Sequence, residues 1–96
     1  MTRLLIAERA ALDIDRLCDF LLDTMPHEAI RTGELIFDAL EVLKAHPAIG
    51  RPVGEGFREL VISRGKTGYL ALYLYDEDAD AVSILALRHQ REGGYA

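Results

Sequence analysis

Apolar and polar residues recur with two different periods along this chain, and these periods predict its elements. Between Glu8 and Met25 the apolar positions are three or four residues apart, which predicts one amphipathic helix. Pro26 interrupts that pattern and suits the first turn of a helix, so it begins a second apolar stripe that continues to about Ala45. A short β-capable run over Arg3–Ala7 precedes both helices and predicts a strand.

Beyond the helices the period changes to two, as expected for strands. The segment His46–Gly56 holds two prolines and three glycines, which predicts a shaped loop with no regular element. Three further strands are predicted over Phe57–Arg64, Tyr69–Tyr75 and Ala81–Leu87, and a tight turn over Gly65–Gly68 joins the first two of them.

The order of these elements predicts one domain over residues 1–96 with an α+β fold. We expect a β-α-α-β-β-β arrangement in which a helical hairpin packs on one face of a small, mostly antiparallel sheet. A chain of 96 residues, half of them hydrophobic, has enough material for a single core.

The last two predicted strands are apolar on both of their faces, yet one helical layer covers only one face. An apolar patch of that size on a small protein usually marks a partner site, so we expect a protein partner on the second face. The alternative is that the residues after the last strand, together with the tyrosine rings, cover that face themselves.

Charge and composition restrict the classes of function. The net charge is −5, which is poor support for strong nonspecific nucleic-acid binding. Residues 1–43 carry nine acidic and four basic residues, whereas residues 44–96 carry seven of each. A small basic binding site in the second half is therefore compatible with the charge distribution. No apolar run reaches the length of a membrane helix, and a single cysteine, Cys18, fits a reducing compartment. We therefore expect a cytoplasmic protein with no membrane contact.

Several segments resemble the RelE/ParE superfamily of toxins from type II toxin–antitoxin systems, and the resemblance covers nearly the whole chain. The most specific pieces are the Gly-Arg-Pro loop and the Arg-His-Gln-Arg-Glu run near the end. The matching residues are Ala10, Asp13-Ile14, Pro47-Ala48-Ile49-Gly50-Arg51-Pro52-Val53, Phe57-Arg58-Glu59-Leu60, Gly68-Tyr69 and Ile84-Leu85-Ala86-Leu87-Arg88-His89-Gln90-Arg91-Glu92.

This resemblance implies a growth-inhibiting toxin of the plasmid-stabilisation type, bound in a hetero-oligomer by a cognate antitoxin. The superfamily contains both inhibitors of DNA gyrase and ribosome-dependent endonucleases that cleave messenger RNA. The ribonucleases usually carry an arginine directly after the Gly-Tyr pair, where this chain has Leu70, and their surfaces tend to be basic. We therefore favour gyrase as the target, and the ribosome with its mRNA is the alternative. A third possibility is a protein-binding module of this fold without toxicity.

Three sets of candidate site residues follow. If the protein is a metal-independent ribonuclease, His89 and Tyr95 would transfer protons beside Arg88. Contacts to the target are expected from a set of arginines, and large aromatic side chains on one strand are expected to bind the antitoxin. The arginines are Arg51, Arg58, Arg64, Arg88 and Arg91, and the aromatic residues are Tyr69, Tyr73 and Tyr75.

Each candidate also has a purely structural interpretation. Arg58 and Arg64 would be charges at the rim of a strand, and Arg51 would bond carbonyl groups of its own loop. His89 would be a hydrogen-bonding residue at a strand end, since the sequence shows no carboxylate to orient it. No Cys/His set has the spacing of a metal site, and neither Gly-rich turn has the context of a phosphate loop, so no cofactor is expected.

Overall fold

The computed structural model describes residues 1–23, 25–62 and 68–95 and shows two helices packed on one face of a five-stranded sheet. The elements are β1 (Arg3–Ile6), α1 (Glu8–Leu22), α2 (Pro26–Val42), β2 (Arg51–Gly54), β3 (Phe57–Ile62), β4 (Tyr69–Asp76) and β5 (Ala81–His89). The strand order is β1-β5-β4-β3-β2. This confirms the predicted α+β class and the helical hairpin on a small sheet.

One strand was missed by the sequence prediction. Residues 51–54 form β2, an edge strand antiparallel to β3, although the whole of His46–Gly56 was expected to be a loop. Pro52 is compatible with this position because an edge strand leaves one side of its backbone unpaired. The tight connection to β3 uses Gly54, Glu55 and Gly56, all with positive φ.

The sheet is antiparallel except at β1, which pairs in parallel with β5 from Arg3 opposite Ala81 to Ile6 opposite Ile84. The β4–β5 register shifts between Leu72 and Tyr73, so that Leu85 is an extra residue in β5. β5 also runs two residues beyond its predicted end, through Arg88 to His89.

The helices begin where the pattern predicted and end earlier. α1 ends at Leu22 rather than Met25, and α2 ends at Val42 rather than Ala45. The residues after α2 tighten into hydrogen bonds of the i to i+3 kind, from the Lys44 N–H to the Glu41 carbonyl and from the Ala45 N–H to the Val42 carbonyl. The predicted end of β3 at Arg64 and most of the predicted turn Gly65–Gly68 lie outside the described residues.

The core lies between the helices and the sheet face that we call the helix face. Alternation along β4 places Tyr69, Ala71 and Tyr73 there, under apolar side chains from both helices. The buried helical residues include Ala10, Ile14, Leu17, Ile36 and Leu40. Cys18 is half-buried against this core, and burial raises the pKa of its thiol.

The opposite face of the sheet, which we call the open face, has no helix over it. It carries Glu59 and Val61 from β3, Leu70, Leu72 and Leu74 from β4, and Arg88 from β5. Leu70 is buried, Leu72 and Leu74 are half-buried, and Val61 is exposed. The open face is thus partly covered by residues of this chain and partly accessible to a partner.

Candidate functional site

Four side chains meet on the open face, and we call them the arginine–glutamate–tyrosine cluster: Arg51, Glu59, Arg88 and Tyr95. Arg51 lies opposite Glu59 in the β2–β3 ladder. Arg88 lies near the end of β5, and Tyr95 comes from the segment that follows it. Two cations, one carboxylate and one phenol are therefore brought together from positions that are far apart in the sequence.

Glu59 is the centre of this cluster and is only 6% exposed. The Arg51 Nε donates to Glu59 Oε1 at 3.0 Å, a second guanidinium nitrogen of Arg51 donates to the same oxygen, and the Tyr95 hydroxyl donates to Oε2 at 2.8 Å. Burial alone would raise the pKa of this carboxyl. The hydrogen bonds from Arg51 and Tyr95 and the positive charges of Arg51 and Arg88 outweigh it, so the pKa of Glu59 lies below its usual value.

Tyr95 connects the two sides of the cluster. Its hydroxyl is bound to Glu59 on β3, while its ring lies 5.1 Å from the Arg88 Cζ on β5, close enough for a cation–π contact. Because β4 lies between those strands, the tyrosine crosses the open face above Leu70 and Leu72. Burial, and then the Glu59 carboxylate, raise the pKa of the Tyr95 phenol well above its usual value, so the phenol stays protonated.

Arg88 is bound mainly to the segment after β5. Its Nη1 donates to the Glu92 carbonyl, with longer contacts to the carbonyls of His89 at 3.4 Å and Gln90 at 3.5 Å. Its Nε is buried and has no hydrogen-bond partner among the described residues. A buried N–H without an acceptor is costly, so this guanidinium has an unused donor.

The loop before β2 is held rigidly from the helix face. The Arg58 Nη1 donates to the carbonyls of Ala48 at 3.1 Å and Gly50 at 2.7 Å. The Tyr73 hydroxyl donates to the Pro47 carbonyl at 2.8 Å and accepts the Gly50 N–H at 2.9 Å. These bonds fix the backbone directly before Arg51 and so direct that side chain towards Glu59.

The target-binding arginines predicted from the sequence do not form one surface. Arg51 and Arg88 both reach the cluster, and Arg64 lies outside the described residues. Arg58 bonds the loop carbonyls from the helix face, which is the structural role that the sequence analysis gave to Arg51. Arg91 is exposed beside His89 and Glu92, on the side of the sheet where α1 lies.

The three residues predicted for ribonuclease chemistry are divided by the sheet. Arg88 and Tyr95 lie on the open face. The His89 ring lies on the helix face, edge-on to the Tyr69 ring, with 5.3 Å between the two ring centroids. The His89 Nδ1 accepts the Arg91 N–H at 3.0 Å. The Glu92 carboxylate accepts the His89 backbone N–H at 3.0 Å and a bond from Arg16 at 3.1 Å, and these contacts hold the pKa of Glu92 below its usual value.

The expectation that Tyr69, Tyr73 and Tyr75 form a partly exposed surface is wrong for the first two. Tyr69 and Tyr73 are buried on the helix face, and only Tyr75 is half-buried. The three share one face of β4, and that face is the one that the helices cover. The segment after β5 covers part of the open face through Tyr95, as the alternative explanation expected, whereas Tyr69 and Tyr73 lie on the other face.

Glu59 was not singled out from the sequence, although a signal was present. It is an acid on a strand face otherwise formed by Phe57 and Val61, and such a carboxylate needs cationic partners if it is buried.

Within the ranges 1–23, 25–62 and 68–95, no group of three or more His, Cys, Asp or Glu side chains is placed to share a metal ion. In the same ranges, neither helix has the length and hydrophobicity to span a bilayer.

Two solved toxin–antitoxin structures share this fold. One, described as the chromosomal ParDE toxin–antitoxin system from P. aeruginosa, superposes with a TM-score of 0.76 at 24% identity over 93% of this chain and 96% of that one. The other, the toxin–antitoxin complex RelBE2 from Mycobacterium tuberculosis, gives a TM-score of 0.61 at 22% identity over 93% and 98%. At these identities the likeness shows the fold.

Sequence relatives establish the family. Toxin RelE3 of Caulobacter vibrioides is 36% identical over 88 residues, which is 91% of this chain and 92% of that protein. Toxin RelE1 of the same organism is 38% identical over 69 residues, 72% of this chain and 74% of that protein. Residues 4–93 match the sequence model described as the ParE toxin of the type II toxin–antitoxin system parDE. With the fold and these matches in agreement, the chain belongs to the ParE toxin family within the RelE/ParE superfamily.

Proposed function

We propose that this protein is the toxin of a type II toxin–antitoxin module, that it inhibits growth by binding DNA gyrase, and that a cognate antitoxin neutralises it in a hetero-oligomer. The observation that carries the choice of gyrase is the separation of His89 from Arg88 and Tyr95 by the sheet. A binding toxin needs no shared acid–base site, and gyrase would place its action in the cytoplasm.

The chemistry of the cluster also supports binding over RNA cleavage. A general base must accept a proton within hydrogen-bond reach of the nucleophile. The Tyr95 phenol instead donates to Glu59, and its raised pKa makes its phenolate scarce. Leu70, which stands where the ribonucleases usually carry an arginine, is buried and apolar on the open face.

Two arginines of the cluster are suited to contact the target. The Arg51 side chain is 63% exposed although it is paired with Glu59, so its outer surface is accessible to a partner. Arg88 offers a planar guanidinium on the same face with one donor unused. Arginine is enriched among the residues that dominate binding energy at protein interfaces.

The surface of the helical hairpin supports a second protein partner. It exposes large apolar side chains that a lone small domain would be expected to bury, with Phe20 exposed by 78%. Ile30 and Phe37 on α2 and Leu12 on α1 are also exposed. We assign this surface, with the half-buried Tyr75 and the accessible part of the open face, to the antitoxin.

The gyrase proposal is tested by titrating purified toxin into a supercoiling assay. We expect inhibition by toxin in molar excess over gyrase, lost when Arg51→Ala and Arg88→Ala are combined. Arg31→Ala is the control, because Arg31 is an exposed arginine on α2 whose ion pair with Glu28 is local. Full gyrase activity at an excess of folded wild-type toxin would remove the proposal.

The names of the two Caulobacter relatives favour testing the ribonuclease alternative in parallel. Translating ribosomes are incubated with toxin, and the 5′ ends of the messenger are mapped. New ends that disappear with His89→Ala and Arg88→Ala would establish RNA cleavage and contradict the gyrase proposal.

Antitoxin binding has its own test. The toxin is co-expressed with the product of a short reading frame directly upstream of its gene, and we expect a stable complex in which growth arrest is relieved. Phe20→Asp and Phe37→Asp together should weaken that complex while leaving gyrase inhibition intact. A non-toxic, monomeric wild-type protein that binds no such product would contradict this part of the proposal.

A further inference from the structure

The segment 90–95, which we call the strap, folds back over the arginines of the open face. It is attached at two points. At one end the Glu92 carboxylate accepts hydrogen bonds from the His89 backbone N–H and from Arg16. The backbone carbonyl of Glu92 accepts a hydrogen bond from the Arg88 guanidinium. At the other end Tyr95 binds Glu59 and lies against Arg88.

Between these two points the strap has the composition of a hinge. Gly93 and Gly94 carry no side chains, and a Cβ at either position would meet nothing within 4 Å. Gly94 has a φ of +151°, which L-residues with side chains rarely adopt. Tyr95 can therefore leave the open face by rotation about two unhindered residues while Glu92 stays in place.

We propose that the strap is an autoinhibitory contact: when closed, it occupies the Arg88 surface, and it must open before that arginine binds the target. The closed strap uses the face of the Arg88 guanidinium for the Tyr95 ring and one of its nitrogens for the Glu92 carbonyl. The Arg88 Nε is buried and has no acceptor among the described residues in this closed arrangement. This inference rests on the proposed role of Arg88 in target binding.

Glu59 holds the strap closed from below. Its Oε2 accepts the Tyr95 hydroxyl, and its Oε1 accepts Arg51, so one buried carboxylate joins the strap to the neighbouring arginine. A hydrogen bond to a charged group contributes more than a neutral one, so its loss should raise the open fraction on the order of tenfold. Since apparent affinity scales with the fraction of competent molecules, target binding should tighten by a similar factor.

The first experiment uses the toxin alone and measures modification of individual arginines by phenylglyoxal, resolved by peptide mass spectrometry. We expect Arg88 to react slowly in the wild type compared with the exposed Arg91. Tyr95→Phe, which loses only the hydroxyl, should accelerate Arg88 about tenfold, and Tyr95→Ala, which also loses the ring contact, should accelerate it further. Gly94→Pro should act like Tyr95→Ala, because proline cannot take a φ of +151°.

The matched control is Glu41→Gln, an exposed position on α2 far from the strap, which should leave the Arg88 rate unchanged. Circular dichroism checks that each variant is folded. Equal Arg88 rates in folded wild type, Tyr95→Ala and Gly94→Pro would overturn the proposal.

The second experiment repeats the gyrase titration with the same variants. We expect Tyr95→Ala and Gly94→Pro to inhibit at a concentration at least about tenfold lower than the wild type. If Arg88 is released but no variant, wild type included, affects gyrase, the proposed target is wrong and the strap stands. If the wild type inhibits gyrase and opening the strap does not strengthen inhibition, the autoinhibitory role is wrong and the target stands.

Discussion

Tyr73 and Gly50 are joined by a buried hydrogen bond of 2.9 Å, from the Gly50 N–H to the tyrosine hydroxyl. The same hydroxyl donates to the Pro47 carbonyl at 2.8 Å, so one phenol satisfies two backbone groups of the loop that leads into β2. Tyr73 is fully buried, and its pKa is raised, first by that burial. The placement of Arg51 on the open face depends on this contact on the helix face.

Tyr73→Phe should destabilise the protein, because it leaves a buried N–H and a carbonyl without this partner. We expect a loss of about 1–3 kcal/mol in the free energy of unfolding. Urea denaturation followed by circular dichroism measures it. Tyr75→Phe on the same strand is the control and should cost less, and an equal loss in both variants would contradict the role given to the Tyr73 hydroxyl.

Gly50→Ala should be more damaging than a glycine substitution elsewhere. A Cβ at Gly50 would lie 2.6 Å from the Tyr73 ring and hydroxyl and 2.9 Å from the Glu59 carbonyl, none of which is free to move. We expect a loss of about 2 kcal/mol or more, within the range for overpacked cores. Gly93→Ala meets open space and should be close to neutral when both variants are compared by urea denaturation.

Asp13 ties α1 to β5, because its Oδ2 accepts the Leu87 N–H at 3.0 Å beyond the point where β1 stops pairing. Asp13→Ala removes that acceptor from a partly buried N–H and should cost about 1–3 kcal/mol. Asp13→Asn keeps an acceptor oxygen and should recover part of the loss. Asp19→Ala, an exposed acid on the same helix, is the control for the general effect of removing a negative charge.

Glu59 makes the stability of the folded protein depend on pH in the acid range. Its pKa is lowered in the folded protein from an ordinary value of 4.5, so its contribution is fully present above that value and is lost as pH falls through the folded pKa. Glu59→Gln should lower stability at neutral pH and flatten the decline below about pH 4.5. Denaturation midpoints across acid pH measure both effects, and parallel curves for variant and wild type would contradict the lowered pKa.

The periods in the sequence predicted the helix starts at Glu8 and Pro26 and the presence of β3, β4 and β5. They could not say which face of β4 the helices would cover, since Tyr69–Tyr73 and Leu70–Leu74 are both apolar series. That choice depends on packing between distant elements. It decided whether the tyrosines were core or surface.

The site was harder to predict than the fold. The family resemblance and the chemistry of RNA cleavage identified Arg51, Arg88 and Tyr95 as candidates, but their meeting depends on the ladder that sets Arg51 against Glu59 and on the turn after His89. The β2 strand escaped prediction because Pro52 and its neighbouring glycines are loop signals, and an edge strand tolerates them. Glu59 gained its role only from its buried position between two arginines.

The parallel pairing of β1 with β5 affects how the protein folds during its synthesis. The hydrogen-bond ladder between β1 and β5 cannot form until Ala81, the partner of Arg3, has been synthesised. The sheet is therefore completed by contacts of large sequence separation, which slow folding. During synthesis the first strand remains unpaired until residues 81–84 have left the ribosome. The nascent chain therefore passes through an incomplete stage in which both helices are made before the edge strand β1 is paired.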